Sequence, residues 1–550
     1  MLTPMQIQNI VQGHEAYWNG LRSDLKAYSD VYKVKFWQAS AQKTSVLRTE
    51  TPAAFKMVES YLGALFAKNP SVHVGADLRG KGNPEVVGAV SNQFLLTARP
   101  CLEDATRLAL IYPCSFLKLA PILSPDPLRR VSVSAVPPWE VIVDATAASW
   151  DSQRWIGHVS LLPLAEAATR FSKDESEFSH RQYSRWLDTT YSGGRSTSAT
   201  GMTATPTHHS ELGTPAGMDP FVQIVELYDL VNDKLIVWSA DYLNGSEYLF
   251  SGVKIQMGGE DAEEAVETTG IPYKTSSGRS LVPIIPLYFA RDPDVPLRGM
   301  SLIGRSYDQF RELAVMRTYS AQGVRRMARQ WLMRAGFLSD ESIEKIQKGL
   351  DGEIIEVDVP PGTELEGNFI SVPNEPIPAD IIAYAATIEN DIREAGLMAP
   401  FARGEVSGVT ATENSLLAQY TSSEVGRMAR TRDESIVQLA QTYSVMLSVI
   451  LGDEAEPLSL PNPIGPTMLS AEDLTGDFQY SAADQGTTPM SDMAKQQSLT
   501  SLAPLLVQLG ADPATILSEI VRAYQFSAKL AEAAKADEAP TEATPIQEGV

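Results

Sequence analysis

The 550-residue chain, 43% hydrophobic and 21% charged, has the composition of an ordinary folded protein and the length for several compact units. Its formal net charge of −23, from 68 acidic against 45 basic residues, excludes a surface that grips phosphate throughout, because non-specific nucleic-acid affinity comes from Lys and Arg displacing counterions. Cys101 and Cys114, the two cysteines, cannot build a disulfide framework and show no metal spacing, so two small core side chains in a reducing compartment are expected. The N-terminus lacks a basic region followed by an apolar run, and nowhere do about 18 apolar residues follow one another, which reads as a soluble intracellular chain with no membrane partner.

In chain order, residues 4–35 predict a helix, with Ile7, Ile10, Val11, Tyr17, Leu21, Leu25 and Tyr28 recurring every three or four positions. A second helix opens with Thr51 as N-cap and Pro52 at the first helical position, and stops at Asn69-Pro70. A third, over 85–112, passes into a strand at "YPCSFLKLAPI". From 130 to 290 the texture changes to short β-type runs, "RVSVSAV", "WEVIVD", "RWIGHVSLL", "FVQIVELYDLV", "KLIVWSADY" and "LVPIIPLYFA". Within them, 192–217 is a Gly/Ser/Thr/Pro stretch with almost nothing to bury, expected to be a mobile loop.

A long helix is predicted over 302–334. Seven arginines and two acids fall within 305–334. Ile303, Tyr307, Phe310, Leu313, Ala314, Val324, Met327, Ala328, Trp331 and Leu332 gather on one side of it. Arg305, Arg311, Arg325, Arg326, Arg329 and Arg334 fall largely on the other, while Arg317 sits near the apolar side and Gly323 is a candidate bend. Residues 335–378 are short and mixed: a helix "SDESIEKIQKGL", a strand "EIIEVDV", a "PPG" turn and "NFISVP". A helix over 379–396 follows, carrying Glu389, Asp391 and Glu394 against Ile381, Ile382, Ile388 and Ile392, the opposite sign to the first. After a glycine-punctuated 397–409 comes a very long helix, 410–451, whose Thr410 and Glu413 fit a capping box. A Pro-rich acidic stretch, helices within 489–534 and an unstructured tail over 536–550 complete the chain.

Catalytic fingerprints are missing from the sequence. No phosphate loop, H-E-x-x-H, G-x-S-x-G elbow or C-x-x-C is present, and "RGMSLIG" has the wrong spacing for an elbow and reads as a turn before a helix. His208 and His209 cluster inside the low-complexity loop, where nothing holds a metal geometry. Carboxylate pairs such as Glu140 with Asp151, or Glu389 with Asp391, cannot be placed at catalytic separation from sequence. The expectation is therefore a protein that is not an enzyme and needs no cofactor or metal. For the basic helix, a core helix with a solvated face competes with DNA contact, with pairing to acidic faces of neighbouring subunits and, least, with a membrane surface.

Five stretches, read in order, resemble the portal (head-tail connector) proteins of short-tailed double-stranded DNA bacteriophages. They are "MVESYLGALFAKNPSVHV", "DATRLALIYPCSFLKLAP", "VPPWEVIVD", "VPIIPLYFARDPDVPLRGMSLIGRS" and "TATENSLLAQ", spread from about 57 to 420. The resemblance implies an α+β portal fold, mostly helical with a β-rich wing, that assembles as a ring of about twelve subunits around a DNA channel. On that template 1–300 is the wing, 301–334 the first stem helix, 335–378 the clip and 379–396 the second stem helix. Residues 397–409 are the channel loop, 410–451 a long wing or crown helix, and 452–535 the wing closure and crown.

Within the channel loop that the template implies, Phe401, Arg403 and Glu405 are the expected DNA-facing residues, with packing beneath the loop an equal alternative for Phe401. Arg325, Arg326, Arg329, Glu389, Asp391 and Glu394 become stem residues at a subunit interface or near DNA, and Glu341, Glu344 and Lys345 a clip surface for partners. Implied partners are further copies of the chain, major capsid and scaffolding proteins, the terminase large subunit, tail adaptors and the passing double-stranded DNA. The implied place is a capsid vertex of the virion, assembled in the host cytoplasm. Another virion neck or tail adaptor protein is the runner-up, and a hydrolase with a site built from scattered residues is third.

Overall fold

The structure is a computed structural model, which describes residues 2–35, 49–75, 82–122, 124–179, 221–243, 248–251, 253–256, 265–268, 270–275, 278–295, 298–326, 331–333, 340, 369–371, 378–395, 411–452, 455–460 and 466–482. Helices and antiparallel sheets mix along the chain, an α+β architecture. Two compact units share it: one of 1–19, 59–300 and 399–550, the other of 20–58 and 301–398. Residues 20–58 thus fall in the same compact unit as 301–398.

The described α-helices are α1 (Pro4–Tyr32), α2 (Ala53–Leu65), α3 (Pro84–Ile111), α4 (Leu164–Phe171), α5 (Leu302–Arg305), α6 (Tyr307–Arg326), α7 (Ala379–Ala395), α8 (Ala411–Leu451) and α9 (Ala471–Leu474). Local chemistry explains their ends. Thr3 and Gln6 cap α1 reciprocally, Thr3 N–H donating to Gln6 Oε1 at 2.8 Å, with Pro4 at the first helical position. Asn83 caps α3 by accepting from the Glu85 and Val86 amides ahead of Pro84. Gly452, at φ +61°, follows α8 in the left-handed conformation that ends helices. The second helix stops at Leu65, short of the predicted Asn69-Pro70, and the Phe66 carbonyl beyond it is taken by the Arg99 guanidinium at 3.0 Å.

In the first unit a five-stranded antiparallel sheet has the order β4 (Val141–Val143), β5 (Trp155–Pro163), β6 (Phe221–Asp229), β7 (Lys234–Trp238), β8 (Phe250–Ser251). All but β8 fall on predicted β-type runs. Period-two alternation divides β6 between two cores. Val225 and Leu227 pack with Ile7 and Val11 of α1, whereas Val222 and Ile224 pack with Leu164 and Ala167 of α4. Each such buried Val, Leu or Ile side chain stabilises the unit by about 1.5–3 kcal/mol. A second sheet pairs β2 (Ser115–Pro121) with β3 (Val131–Val136) on one edge and β11 (Ile284–Leu287) on the other.

The long α8 carries a segment, Val425–Leu451, apolar and long enough to cross a membrane. Here it is a core helix, with Leu439, Ala440, Tyr443, Met446 and Leu447 fully buried. Phe94 of α3 stacks on Tyr443 at 3.8 Å between centroids and 8° between planes. A smaller strand pair joins distant segments, β1 (Val72–Val74) with β16 (Tyr480–Ala482), and the consecutive strands β9 (Val253–Gln256) and β10 (Ala265–Thr268) pair with each other. A hairpin of β14 (Glu456–Ser459) and β15 (Pro466–Leu469) occupies the stretch read from sequence only as Pro-rich and acidic.

The second unit holds α5, α6 and α7 with a strand pair, β12 (Trp331–Met333) and β13 (Phe369–Ser371). Here the single helix predicted over 302–334 needs correction. It breaks at Ser306, after Ser301 has capped α5 through the Gly304 amide at 2.9 Å, and its described part ends at Arg326. Trp331, Leu332 and Met333 are strand residues paired with Ser371, Ile370 and Phe369.

Candidate functional site

The residues singled out as functional converge, where described, on α6 and α7. The buried side of α6 is Phe310, Leu313 and Ala314, continuing Ile303 of α5, and that of α7 is Ala385, Ile388 and Ile392. Arg305 and Arg311 are exposed, as the helical periodicity requires. Val324, assigned to the apolar side from sequence, is 61% exposed, so the packed stripe does not reach the last turn of α6. Ile382 of α7 is 59% exposed. Counting seven residues, two helical turns, from Arg317 reaches Val324, and seven back from Glu389 reaches Ile382. The two helices therefore each carry a charged position and an uncovered apolar one along a single line.

Arg317 itself finds a partner within the chain. Its guanidinium Nη2 pairs with Glu389 Oε1, whose other oxygen lies 4.0 Å from Arg393 Nη2. An arginine that looked misplaced on the apolar side is the cation of an α6–α7 bridge, and one carboxylate serves two guanidinium groups. Thr318, one position on and buried, accepts from the Thr49 amide at 3.1 Å, which fixes the segment ahead of α2 to α6. Tyr307 rests edge-on against Tyr28 at 5.7 Å, and burial pushes its phenol above the ordinary value, with Arg311 opposing and Asp308, Asp24 and Asp30 adding to the rise.

Glu389 is thus engaged inside the subunit, Asp391 is exposed on α7, and Glu394 lies in the last turn of that helix. Arg325 and Arg326 form the C-terminal end of α6. Arg329, Glu341, Glu344, Lys345, Phe401, Arg403 and Glu405 lie outside the described residues, as do 192–217 with His208 and His209, the "EIIEVDV" run, 397–409, Thr410 and everything after 482. Sequence reasoning did not bring Arg317 and Arg393 together with Glu389. The usable signal was Arg317's conflict with the helical period, since a cation on a packed side requires an acid from the facing element.

The carboxylates weighed for catalysis separate. Asp151 is 79% exposed and meets Arg279 at 2.7 Å, whereas Glu140 is mostly buried beside His158. Cys114 is buried, its thiol pushed up to about 12 by desolvation, and Cys101 donates to the Val133 carbonyl at 3.2 Å. Among the described residues no group of three His, Cys, Asp or Glu side chains could hold a metal ion.

No protein-family model and no curated protein matches the chain. Among solved structures it is similar to a chain of "Neck of empty GTA particle computed with C6 symmetry", 11% identical with a TM-score of 0.38 over 88% of this chain and 94% of that one. It is similar also to a chain of "Virion of native gene transfer agent (GTA) particle", 11% identical with a TM-score of 0.37 over 88% of this chain and 94% of that one. At that level of likeness the functional reading rests on the chain's own residues.

Proposed function

We propose that the chain is the subunit of a phage portal ring, a non-enzymatic conduit at one capsid vertex for genome packaging and ejection. It would dock the terminase on one occasion and tail adaptors on another. The observation that carries the reading is the α6–α7 pair, a basic helix bridged to a partly acidic one and separated from it in sequence by an insert holding β12 and β13. The order helix, insert, helix supports a reading of these segments as stem, clip and stem. An acidic conduit suits the task, because a wall that repels phosphate lets DNA slide while sparse cations guide it.

Negative-stain imaging of the purified full-length chain tests this. Holed rings of about twelve subunits are expected. Smaller rings favour a neck or tail adaptor, and a monodisperse monomer would refute a conduit. At the channel loop, Arg403→Ala should leave rings intact while lowering the amount of DNA packaged or retained in particles, read by nuclease protection. Loss of the rings in that variant would instead place Arg403 in assembly.

A further inference from the structure

A cluster of ionisable side chains lies within the first unit, away from α6 and α7. Lys118 of β2 directs its ammonium between two strands of the other sheet, 2.5 Å from Glu226 Oε2 on β6 and 2.9 Å from His158 Nδ1 on β5. His158 and Glu226 are register partners across β5 and β6. Because the ammonium can only donate, His158 Nδ1 is the acceptor and the neutral ring carries its hydrogen on Nε2. That edge lies 4.0 Å from Glu140 Oε2, in the turn leading into β4. All four side chains are largely buried.

We propose that Lys118, His158, Glu226 and Glu140 form a charge-state latch that ties β2 of the three-stranded sheet to β5 and β6 of the five-stranded sheet, and that its release is governed by the proton on Glu140. Lys118 is the physical tie. Its ammonium has one carboxylate partner in Glu226, and Glu140 is close enough to compete for charge without a hydrogen bond of its own to the cluster.

The other ionisable groups bearing on the cluster are Arg170 of α4, Tyr228 of β6 and Tyr273. On the far side of the turn, His14 of α1 donates from Nε2 to the Trp139 carbonyl at 3.1 Å, next to Glu140. Burial holds the Tyr228 and Tyr273 phenols far above neutrality, so neither titrates near it. Desolvation pushes Glu140 up to about 8, against the pull of Lys118. It lowers His158 to about 3, aided by Lys118, and His14 to about 4. Glu226 is held at about 2; burial opposes that, but Lys118 and His158 outweigh it.

The sign follows from which state binds more protons. Opening the latch exposes Glu140 to water and returns it to the ordinary carboxylate range, so over the interval up to about 8 the closed state holds a proton the open state has lost. Closure therefore weakens as pH rises, and the weakening stops above about 8. Below the ordinary histidine range the two buried histidines act in the opposite direction, since the open state then binds the extra protons. Between roughly pH 6.5 and 8 Glu140 outweighs the two histidines, and the opening constant should rise about fourfold over that interval.

Hydrogen exchange of the full-length protein, corrected for the intrinsic rate at each pH, reads this directly. The expected result is a loss of protection of about fourfold between roughly pH 6.5 and 8, confined to β2, β5, β6 and the turn into β4, with α3 and α8 unchanged. Glu140→Gln, which keeps the shape and cannot ionise, should abolish that limb. The wild-type profile needs no variant to fold. A flat profile, an equal loss in α3 and α8, or the same limb in Glu140→Gln would each overturn the latch.

Discussion

Arg317 shows how a single residue can contradict a pattern and thereby report a contact. The helical period puts it beside Phe310, Leu313 and Ala314, where an unpartnered guanidinium would be costly to desolvate, and the structure supplies Glu389 from α7. Since the Arg317 side chain is 47% exposed, the pair contributes little, about 0.2–1 kcal/mol. A double-mutant cycle of Arg317→Ala and Glu389→Ala should return a coupling in that range that shrinks with added salt. A coupling well above it would mean that Arg393 and Glu389 act with Arg317 as one network. Gly299 makes a stronger demand. A Cβ there would lie 2.4 Å from the Pro113 carbonyl oxygen and 2.8 Å from that of Ala290, both backbone atoms that cannot swing away. Gly299→Ala should therefore destabilise the first unit by about 1–3 kcal/mol in denaturant unfolding. This close approach joins "YPCSF" to "PLRGMS", two of the stretches on which the family resemblance rests, and accounts for the glycine in the second.

At the scale of elements, what could be read in the sequence was whatever short-range chemistry determines. The helix α1, the passage of α3 into β2, the main strands of the five-stranded sheet and the length of α8 all follow from apolar period, caps and turn residues. Partners distant in sequence left no such trace. Val72 pairing with Ala482, Trp331 pairing with Ser371, and residues 20–58 joining 301–398 each depend on contacts across long loops. The candidate site was legible to the same extent: both helices, their opposite charge and the misfit of Arg317 could be read, whereas its partner Glu389 could not. The α3–α8 contact offers a graded test of packing against hydrogen bonding. Tyr443 is fully buried, stacks on Phe94 and donates to the Leu128 carbonyl at 3.2 Å. Tyr443→Phe removes only the hydroxyl and should cost about 1 kcal/mol, whereas Tyr443→Ala also opens a cavity and should cost about 3–5 kcal/mol. Guanidinium midpoints of the two variants check the ratio; similar losses would shift the weight from the stacked ring to the hydroxyl.

For the whole molecule the question is why a chain of net charge −23 gathers seven arginines within 305–334. In a ring of identical subunits the head-to-tail interface pairs one side of each chain with a different side of its neighbour, so cations gathered on one segment can meet carboxylates on the next copy. The bridge to Glu389 already shows a cation of α6 answered by a carboxylate rather than left for phosphate. On the portal reading, Arg325, Arg326 and Arg329 continue that use across the subunit boundary. Replacing all three by alanine should then shift the assembled species to lower mass in sedimentation, and raising the salt should do the same to the wild type, because exposed interfacial pairs are screened. The salt dependence of double-stranded DNA binding should change little. If these arginines instead faced the channel, rings would persist, and the slope of log affinity against log salt would fall by nearly one unit per arginine removed, about 2–3 in total. Measuring both quantities on the same triple variant decides between neighbour and DNA, since each arrangement predicts a change in one and constancy in the other.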